Sequence, residues 1–277
     1  MAKRQNITIL WRFATHITFL RSDGLELAIA ADRIALGKFA AERAVNILRQ
    51  ALLTKGSARL IVATGSSQFE VIDSLIQSPE IDWSRVDGFH LDEYIGLGIE
   101  HPASFCGYLK KRFVDRVPLR SFHYLDGLGD PKQVCEVASR LIQAAPVDLA
   151  LVGIGENGHL AFNDPPADFE STAGYHVVEL DDACRRQQVG EGWFDKLDQV
   201  PVHAMSMTIR QIMASQAIVC SVPDRRKAPA VSDTIQVGVT PNVPASILQQ
   251  HDKLTIVLDQ GSASQLSAQW IHLATKI

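Results

Sequence analysis

Three stretches of the 277-residue chain combine side chains that move protons or hold anions with glycines that let a backbone approach a ligand. The richest is Val152-Gly153-Ile154-Gly155-Glu156-Asn157-Gly158-His159-Leu160-Ala161-Phe162-Asn163-Asp164-Pro165. Its glycines allow tight backbone passage after an apolar run, His159 exchanges a proton near neutral pH, and Asp164 is placed to orient the imidazole or tune its charge. A lone histidine is more often structural, but one that follows a glycine-rich strand end points to a catalytic loop. The second stretch is Phe89-His90-Leu91-Asp92-Glu93-Tyr94. Adjacent acids in a closed pocket repel when both ionise, which raises the proton affinity of one and suits it to act as a general base; the plain alternative is a solvated, helix-capping turn. The third is Ala63-Thr64-Gly65-Ser66-Ser67-Gln68. Gly65 permits an unusual turn, Ser66 and Ser67 add hydroxyl donors, and a following helix would direct backbone N–H groups at a phosphate; the alternative is an ordinary capped turn. His90 and His101 share no zinc-ligand spacing and are read as structural.

These stretches need a scaffold that brings them together. Leu60 to Ala63, Val86 to Leu91, Phe122 to Leu125, Val147 to Val152, Ala217 to Val222 and Leu254 to Leu258 are short apolar runs separated by helical patterns. Several are apolar at nearly every position, as strands covered on both faces are, and right-handed parallel crossovers connect such strands through helices. The expected fold class is α/β, a doubly wound, mostly parallel sheet with helices on both faces, in a Rossmann-like sandwich. Leu25 to Leu53 reads as one long or broken helix, ended at Gly56 and Ser57. Ligands of such sheets collect beyond the carboxyl ends of the strands, where all three stretches lie. With no linker, low-complexity tract or long-period repeat, residues 1–277 are expected to form a single domain.

Composition narrows the function classes. With 46% apolar and 21% charged residues the chain has the balance of a soluble globular protein. No apolar run reaches the roughly 18 residues of a membrane span. Lys and Arg total 27 against 31 Asp and Glu, a net charge of −4, so a global cationic field for nucleic acid is lacking. Cys106, Cys135, Cys184 and Cys220 are widely spaced and form no C-x-x-C pair. That pattern suits a reducing compartment. The basic start is followed by an apolar stretch that Arg12 and His16 interrupt, with no convincing cleavage site, so the protein reads as cytoplasmic.

Taken in order, Ala63-Thr64-Gly65, Leu91-Asp92-Glu93-Tyr94, Gly155-Glu156-Asn157-Gly158-His159, Phe162-Asn163-Asp164-Pro165 and Arg226-Lys227-Ala228 resemble the glucosamine-6-phosphate deaminase/isomerase family, within the wider sugar-phosphate isomerase and 6-phosphogluconolactonase superfamily. The likeness spans roughly residues 60 to 260. Asp-Glu-Tyr and Gly-His-x-Ala-Phe-Asn favour the deaminase branch over the lactonases. The resemblance implies that an amino-sugar 6-phosphate, foremost glucosamine 6-phosphate, becomes a ketose 6-phosphate plus ammonia, without metal or other cofactor. It makes Asp92 the base that moves a proton between C2 and C1 and gives His159 the opening of the ring. Asp164 and Asn157 form the acid–histidine relay, Asp164 standing where the family commonly carries Glu. For the phosphate it implies Gly65, Ser66, Ser67 and Lys227. An expected arginine is missing, with Gln188 nearest its place and Arg185 or Arg186 as substitutes. The expected partner is a small sugar phosphate, with neither nucleic acid nor membrane; a homo-oligomer is left open. Two other readings share the anchor: 6-phosphogluconolactone hydrolysis, which needs activated water but no C2 proton abstraction, and a noncatalytic sugar-phosphate sensor. Asp168 to Gly174 and Val189 to Val200 are candidate loops or lids.

Overall fold

The structure is a computed structural model that describes residues 24–277. The readings of the basic start, Arg12 and His16 lie outside the described residues. Among the described residues eleven strands follow in chain order: β1 (Leu25–Ala30), β2 (Ala58–Val62), β3 (Val86–His90), β4 (Asp92–Tyr94), β5 (Ser121–His123), β6 (Leu149–Val152), β7 (Tyr175–Glu179), β8 (His203–Met207), β9 (Ile218–Val222), β10 (Leu254–Asp259) and β11 (Thr275–Lys276). Eight of them form a parallel sheet in the order β11-β1-β10-β9-β6-β2-β3-β5. All six strands expected from the apolar runs are in it.

Alternation along the strands sends successive side chains to opposite faces, and each face is buried under helices. Leu60, Val62, Leu149 and Leu151 join one core with Leu36 and Leu48 of α1 (Arg33–Lys55), Val71 of α2 (Phe69–Leu75) and Leu109 of α3 (Phe105–Arg112). Ile61, Ala150, Val152 and Cys220 join the other, with Ile142 of α4 (Pro131–Gln143), Ile212 of α6 (Ile209–Met213) and Val231 of α7 (Ala228–Gln236). This is the doubly wound α/β sandwich that the apolar runs foretold.

Two features differ from the sequence reading. Leu25 to Leu53 is not one helix: Leu25–Ala30 is strand β1, paired with β10 along its full length. Asp32 then caps α1 by accepting from the Ala35 N–H, and Gly56 closes it in the left-handed conformation at φ 78°. The Leu-Glu-Leu-Ala-Ile-Ala composition of β1 suits either element, and pairing decided it. The second feature is a separate antiparallel sheet, β4-β8-β7, beyond the carboxyl ends of the parallel strands. It carries Asp92 as the first residue of β4, paired with Ser206.

Candidate active site

Strand order reverses between β2 and β6: from β2 the chain runs outward through β3 and β5, then returns to place β6 on the other side of β2. A crevice at such a switch point is where doubly wound sheets bind ligands. Here the segments after β2, β3, β6 and β9 enclose a cleft of about 640 Å³, counting its open mouth, lined by Gly65, Ser66, Ser67, Asp92, His159 and Lys227 among others.

Asp92 is 6% exposed, and its Oδ1 has no hydrogen-bond partner. Burial, and secondarily the neighbouring Glu93 charge, push its carboxyl up to about 8. The adjacent acid is otherwise engaged. Glu93 accepts from the backbone N–H groups of Tyr94, Phe105 and Cys106 and from Ser104 Oγ, at 2.7–3.2 Å, so its carboxylate caps the start of α3. One acid of the pair is therefore structural and the other faces the cleft.

His159 is 8% exposed. Its imidazole lies so close to the Gly155 backbone that a Cβ there would sit 2.2 Å from the ring, which requires glycine at 155. On the side away from the cleft, Nδ1 is 3.3 Å from Asp164 Oδ1, close but not aligned as a hydrogen bond. Asp164 is fixed in turn by Asn157 Nδ2 at 2.9 Å and the Asp181 N–H at 2.9 Å. Burial alone would raise the Asp164 carboxyl, but His159, Asn157 and the Asp181 amide outweigh it and hold it below the usual carboxylate range. Asn157 also accepts the His159 N–H through Oδ1 at 3.1 Å. Asp164 and Asn157 thus stand behind the imidazole and do not line the cleft. The small sheet registers both halves of this arrangement. Ser206, the strand partner of Asp92, accepts the Phe162 N–H at 3.0 Å and so ties the histidine loop to the carboxylate strand.

At the far end, Gly65 takes φ 88°, a conformation only glycine adopts easily, and leads into a 3-10 turn at Ser66–Gln68. Gln68 Nε2 donates to the Val152 carbonyl at 3.1 Å, joining this turn to the end of β6. The basic run after β9 divides: Arg225 and Arg226 are exposed, whereas Lys227 is 5% exposed and lines the cleft. Non-glycine residues with positive φ occur in two of the lining loops, Ala161 at 53° and Asp224 at 87°. Each stores roughly 1–3 kcal/mol of strain that the surroundings must hold, as is common in ligand-binding loops.

Arg185 requires a correction. It lies in α5 (Asp182–Gly190), and its guanidinium donates to the carbonyls of Leu197 at 2.8 Å and Val200 at 3.1 Å, away from the cleft. Arg186 is exposed and pairs with Asp182 at 3.0 Å. Neither replaces the missing arginine. The residues that do face the cleft here are Gln187, Gln188 and Glu191. Sequence reasoning passed over Glu191, an acid at the anion end. Its flanking glycines and the following Trp193, inside a suspected lid, were the available signal.

Among the described residues, two groups of donors have metal-like proximity, His90 with Glu93 and Cys106, and His159 with Asp164 and Cys184. Neither has suitable donor chemistry. Burial pushes both thiols up and keeps them protonated, and Glu93 and Asp164 already accept the hydrogen bonds described above.

Known proteins share this scaffold and much of the sequence. The profile of the family described as glucosamine-6-phosphate isomerases/6-phosphogluconolactonase matches residues 31–257. A curated glucosamine-6-phosphate deaminase of Oenococcus oeni is 38% identical over 229 residues, covering 82% of this chain and 94% of its own. One from Lactobacillus delbrueckii subsp. bulgaricus is 33% identical over 243 residues, 87% of this chain and 100% of its own. Among solved structures, a monomeric glucosamine-6-phosphate deaminase superposes with a TM-score of 0.78 at 28% identity, covering 87% of this chain and 99% of that one. The 6-phosphogluconolactonase of Trypanosoma cruzi shares the fold, with a TM-score of 0.72 at 14% identity over 89% of this chain and 98% of its own. Motif order, sheet topology and the extent of these matches agree, and the chain belongs to the glucosamine-6-phosphate isomerase/6-phosphogluconolactonase family.

Proposed function

We propose that this protein is a glucosamine-6-phosphate deaminase that acts as a single domain in the cytoplasm, a reducing setting that suits its four free cysteines. Among the described residues no helix is long and apolar enough to cross a membrane. The observation that carries the reading is Asp92, a buried carboxylate with one unpartnered oxygen, raised to about 8, on the cleft shared with His159 and Lys227. A proton acceptor of that strength, held out of water, suits abstraction of a carbon-bound proton next to a carbonyl.

In the proposed reaction His159 transfers the proton that opens the pyranose, with Asp164 and Asn157 keeping the imidazole in place. Asp92 removes the C2 proton of the open-chain aldehyde; the electron pair forms the C1–C2 double bond, and the carbonyl oxygen takes a proton from the substrate's own C2 ammonium to become an enol hydroxyl. Return of the proton to C1 leaves a protonated imine at C2. Water adds there, the carbon–nitrogen bond breaks, and ammonia and a ketose 6-phosphate leave. Gly65, Ser66, Ser67 and Lys227 anchor the phosphate, contributing the binding energy and orientation that hold C2 against Asp92. Lactone hydrolysis would leave Asp92 without a carbon acid, and the lactonases resemble this chain in fold alone.

Purified protein given glucosamine 6-phosphate in deuterium oxide is expected to release ammonia and to exchange the C2 proton of recovered substrate. Asp92→Asn abolishes both. Ammonia release by the folded Asp92→Asn variant would remove Asp92 as the base, and hydrolysis of 6-phosphogluconolactone without ammonia release would reassign the enzyme.

A further inference from the structure

The phosphate end of the cleft already holds an anion. Glu191, whose side chain is 5% exposed, places its carboxylate among the groups assigned above to the phosphate. Its Oε2 accepts from Ser66 Oγ at 3.3 Å and from the Trp193 indole N–H at 3.3 Å. Its Oε1 accepts from Gln187 Nε2 at 2.7 Å and lies 3.4 Å from Lys227 Nζ. The carboxylate is also the nearest group, at 4.0 Å, to the point where a side chain on Gly65 would begin. A hydroxyl, an ammonium, an amide and an indole thus converge on one carboxylate, the donor set a phosphoryl oxygen would seek.

Lys227 and Glu191 also cancel each other's charge. The other cation lining this end, Arg226, is held by Asp224 at 3.0 Å and lies 3.6 Å from Glu156. A phosphate dianion entering with Glu191 in place would meet a carboxylate where it needs a positive field, and like charges in contact away from water are strongly unfavourable. The backbone around Glu191 permits exchange. Gly190 and Gly192 flank it, both exposed, and Gly192 takes φ 80° with nothing within 4 Å of a would-be side chain. Burial alone would raise the Glu191 carboxyl, but Lys227, Gln187 and Trp193 hold it below the usual range, so the resident group is an anion.

We propose that Glu191 is a resident surrogate for the substrate's phosphate: it occupies the phosphate cradle and is displaced by the ligand's phosphoryl group, which makes it the residue that sets phosphate affinity. The proposal rests on the sugar-phosphate reading of the same cleft and deepens it. Binding becomes an exchange of one anion for another. Inorganic phosphate must displace Glu191 with no help from a sugar, whereas a hexosamine phosphate adds contacts along the cleft, so the device selects for the esterified ligand. Trp193 reports the exchange. Its indole loses the Glu191 acceptor when the carboxylate leaves, while its ring stays packed edge-on against Phe105 and Tyr108, with centroids 6.3 and 6.1 Å apart.

The test compares wild type, Glu191→Gln and Trp193→Phe, with inorganic phosphate and glucosamine 6-phosphate as separate probes. Titration calorimetry is expected to show Glu191→Gln binding inorganic phosphate at least about tenfold more tightly than wild type, since one opposing charge has left the cradle. KM for glucosamine 6-phosphate should fall in the same variant by a larger factor than any change in kcat. In wild type, saturating glucosamine 6-phosphate should shift tryptophan emission, and Trp193→Phe should remove that shift. Equal or weaker phosphate binding by folded Glu191→Gln overturns the proposal. Should that variant fail to fold, wild-type emission identical to that of Trp193→Phe in its response to saturating ligand overturns it instead. Glucosamine 6-phosphate that displaces Glu191 but is not turned over leaves the surrogate role standing and refutes the deaminase reading, whereas binding of neither probe to wild type or Glu191→Gln refutes both.

Discussion

Replacing Asp92 by Asn should inactivate the enzyme and stabilise it, and the stabilisation should depend on pH. The folded protein holds the Asp92 proton up to about 8, against an ordinary value of 3.8 in the unfolded chain. Between those values the unfolded state releases the proton and the folded state keeps it, so this residue lowers stability progressively as pH rises from about 4 to 8. Each unit corresponds to about 1.36 kcal/mol, which makes the penalty roughly 1–2 kcal/mol at pH 5 and on the order of 5 kcal/mol at pH 8. An amide has nearly the shape and hydrogen-bonding capacity of the protonated acid and does not ionise, so it abolishes the penalty at both pH values. Urea denaturation should therefore show Asp92→Asn gaining about 3–4 kcal/mol more over wild type at pH 8 than at pH 5, while ammonia release falls to background. A stability difference equal at the two pH values would mean that Asp92 is not desolvated as described, and would refute the account of its basicity even if activity were lost. In the wild type, the same titration predicts that kcat/KM climbs on its acid side as Asp92 ionises near pH 8.

Three other expectations follow from particular contacts. Gly155→Ala places a Cβ 2.2 Å from the His159 ring and must displace it, so kcat should drop by about 10²-fold with the fold retained by circular dichroism; near-normal turnover would show that His159 need not sit where it does. Asp164→Asn keeps the volume but removes the charge behind the imidazole, and a loss of about 10- to 100-fold in kcat with an altered pH profile is expected; a change confined to KM would count against a positioning role. Lys227→Met strands the buried Glu191 carboxylate and should destabilise the protein by roughly 3–5 kcal/mol, most of which Glu191→Gln in the same chain should restore; additive losses in a double-mutant cycle would show the pair to be uncoupled.

What could be read without coordinates depended on how much of the environment each residue's neighbours in sequence reveal. Leu60, Ile61 and Val62, like Leu149 to Val152, are buried at consecutive positions, a mark of a strand covered on both faces. Such strands announce themselves, and so did the loops beyond them with Gly65, Asp92, His159 and Lys227. β7 and β8 did not. In Tyr175–Glu179 only Tyr175 is buried and the other four positions are half-buried or exposed, and His203–Met207 is built of residues with little strand preference, so their pairing is visible only in three dimensions. The run from Arg185 to Gln188 failed differently. Four polar residues in a row cannot say which face of α5 meets the cleft; with about 100° between neighbours, Gln187 and Glu191 share a side that Arg185 does not. Glu191 was hidden by the charge logic itself, because a search for phosphate ligands looks for cations.

Two of the acids that line this cleft, Asp92 and Glu191, show how environment assigns opposite roles to carboxylates. Asp92 is desolvated, keeps an oxygen without a donor and has Glu93 beside it, so its charged form is disfavoured and a proton is held strongly. Glu191 is almost as buried but receives an ammonium, an amide, an indole and a hydroxyl, so its charged form is favoured. Burial alone would have raised both; the donor count separates them. At one end of the cleft the missing donors leave a group ready to take a proton from carbon. At the other, the same chemistry fully supplied yields an anion that only a better anion displaces. The energetic penalty of the first is paid continuously by the fold, whereas that of the second is met only when ligand arrives, which is why substitution at 92 should register in stability and substitution at 191 in affinity.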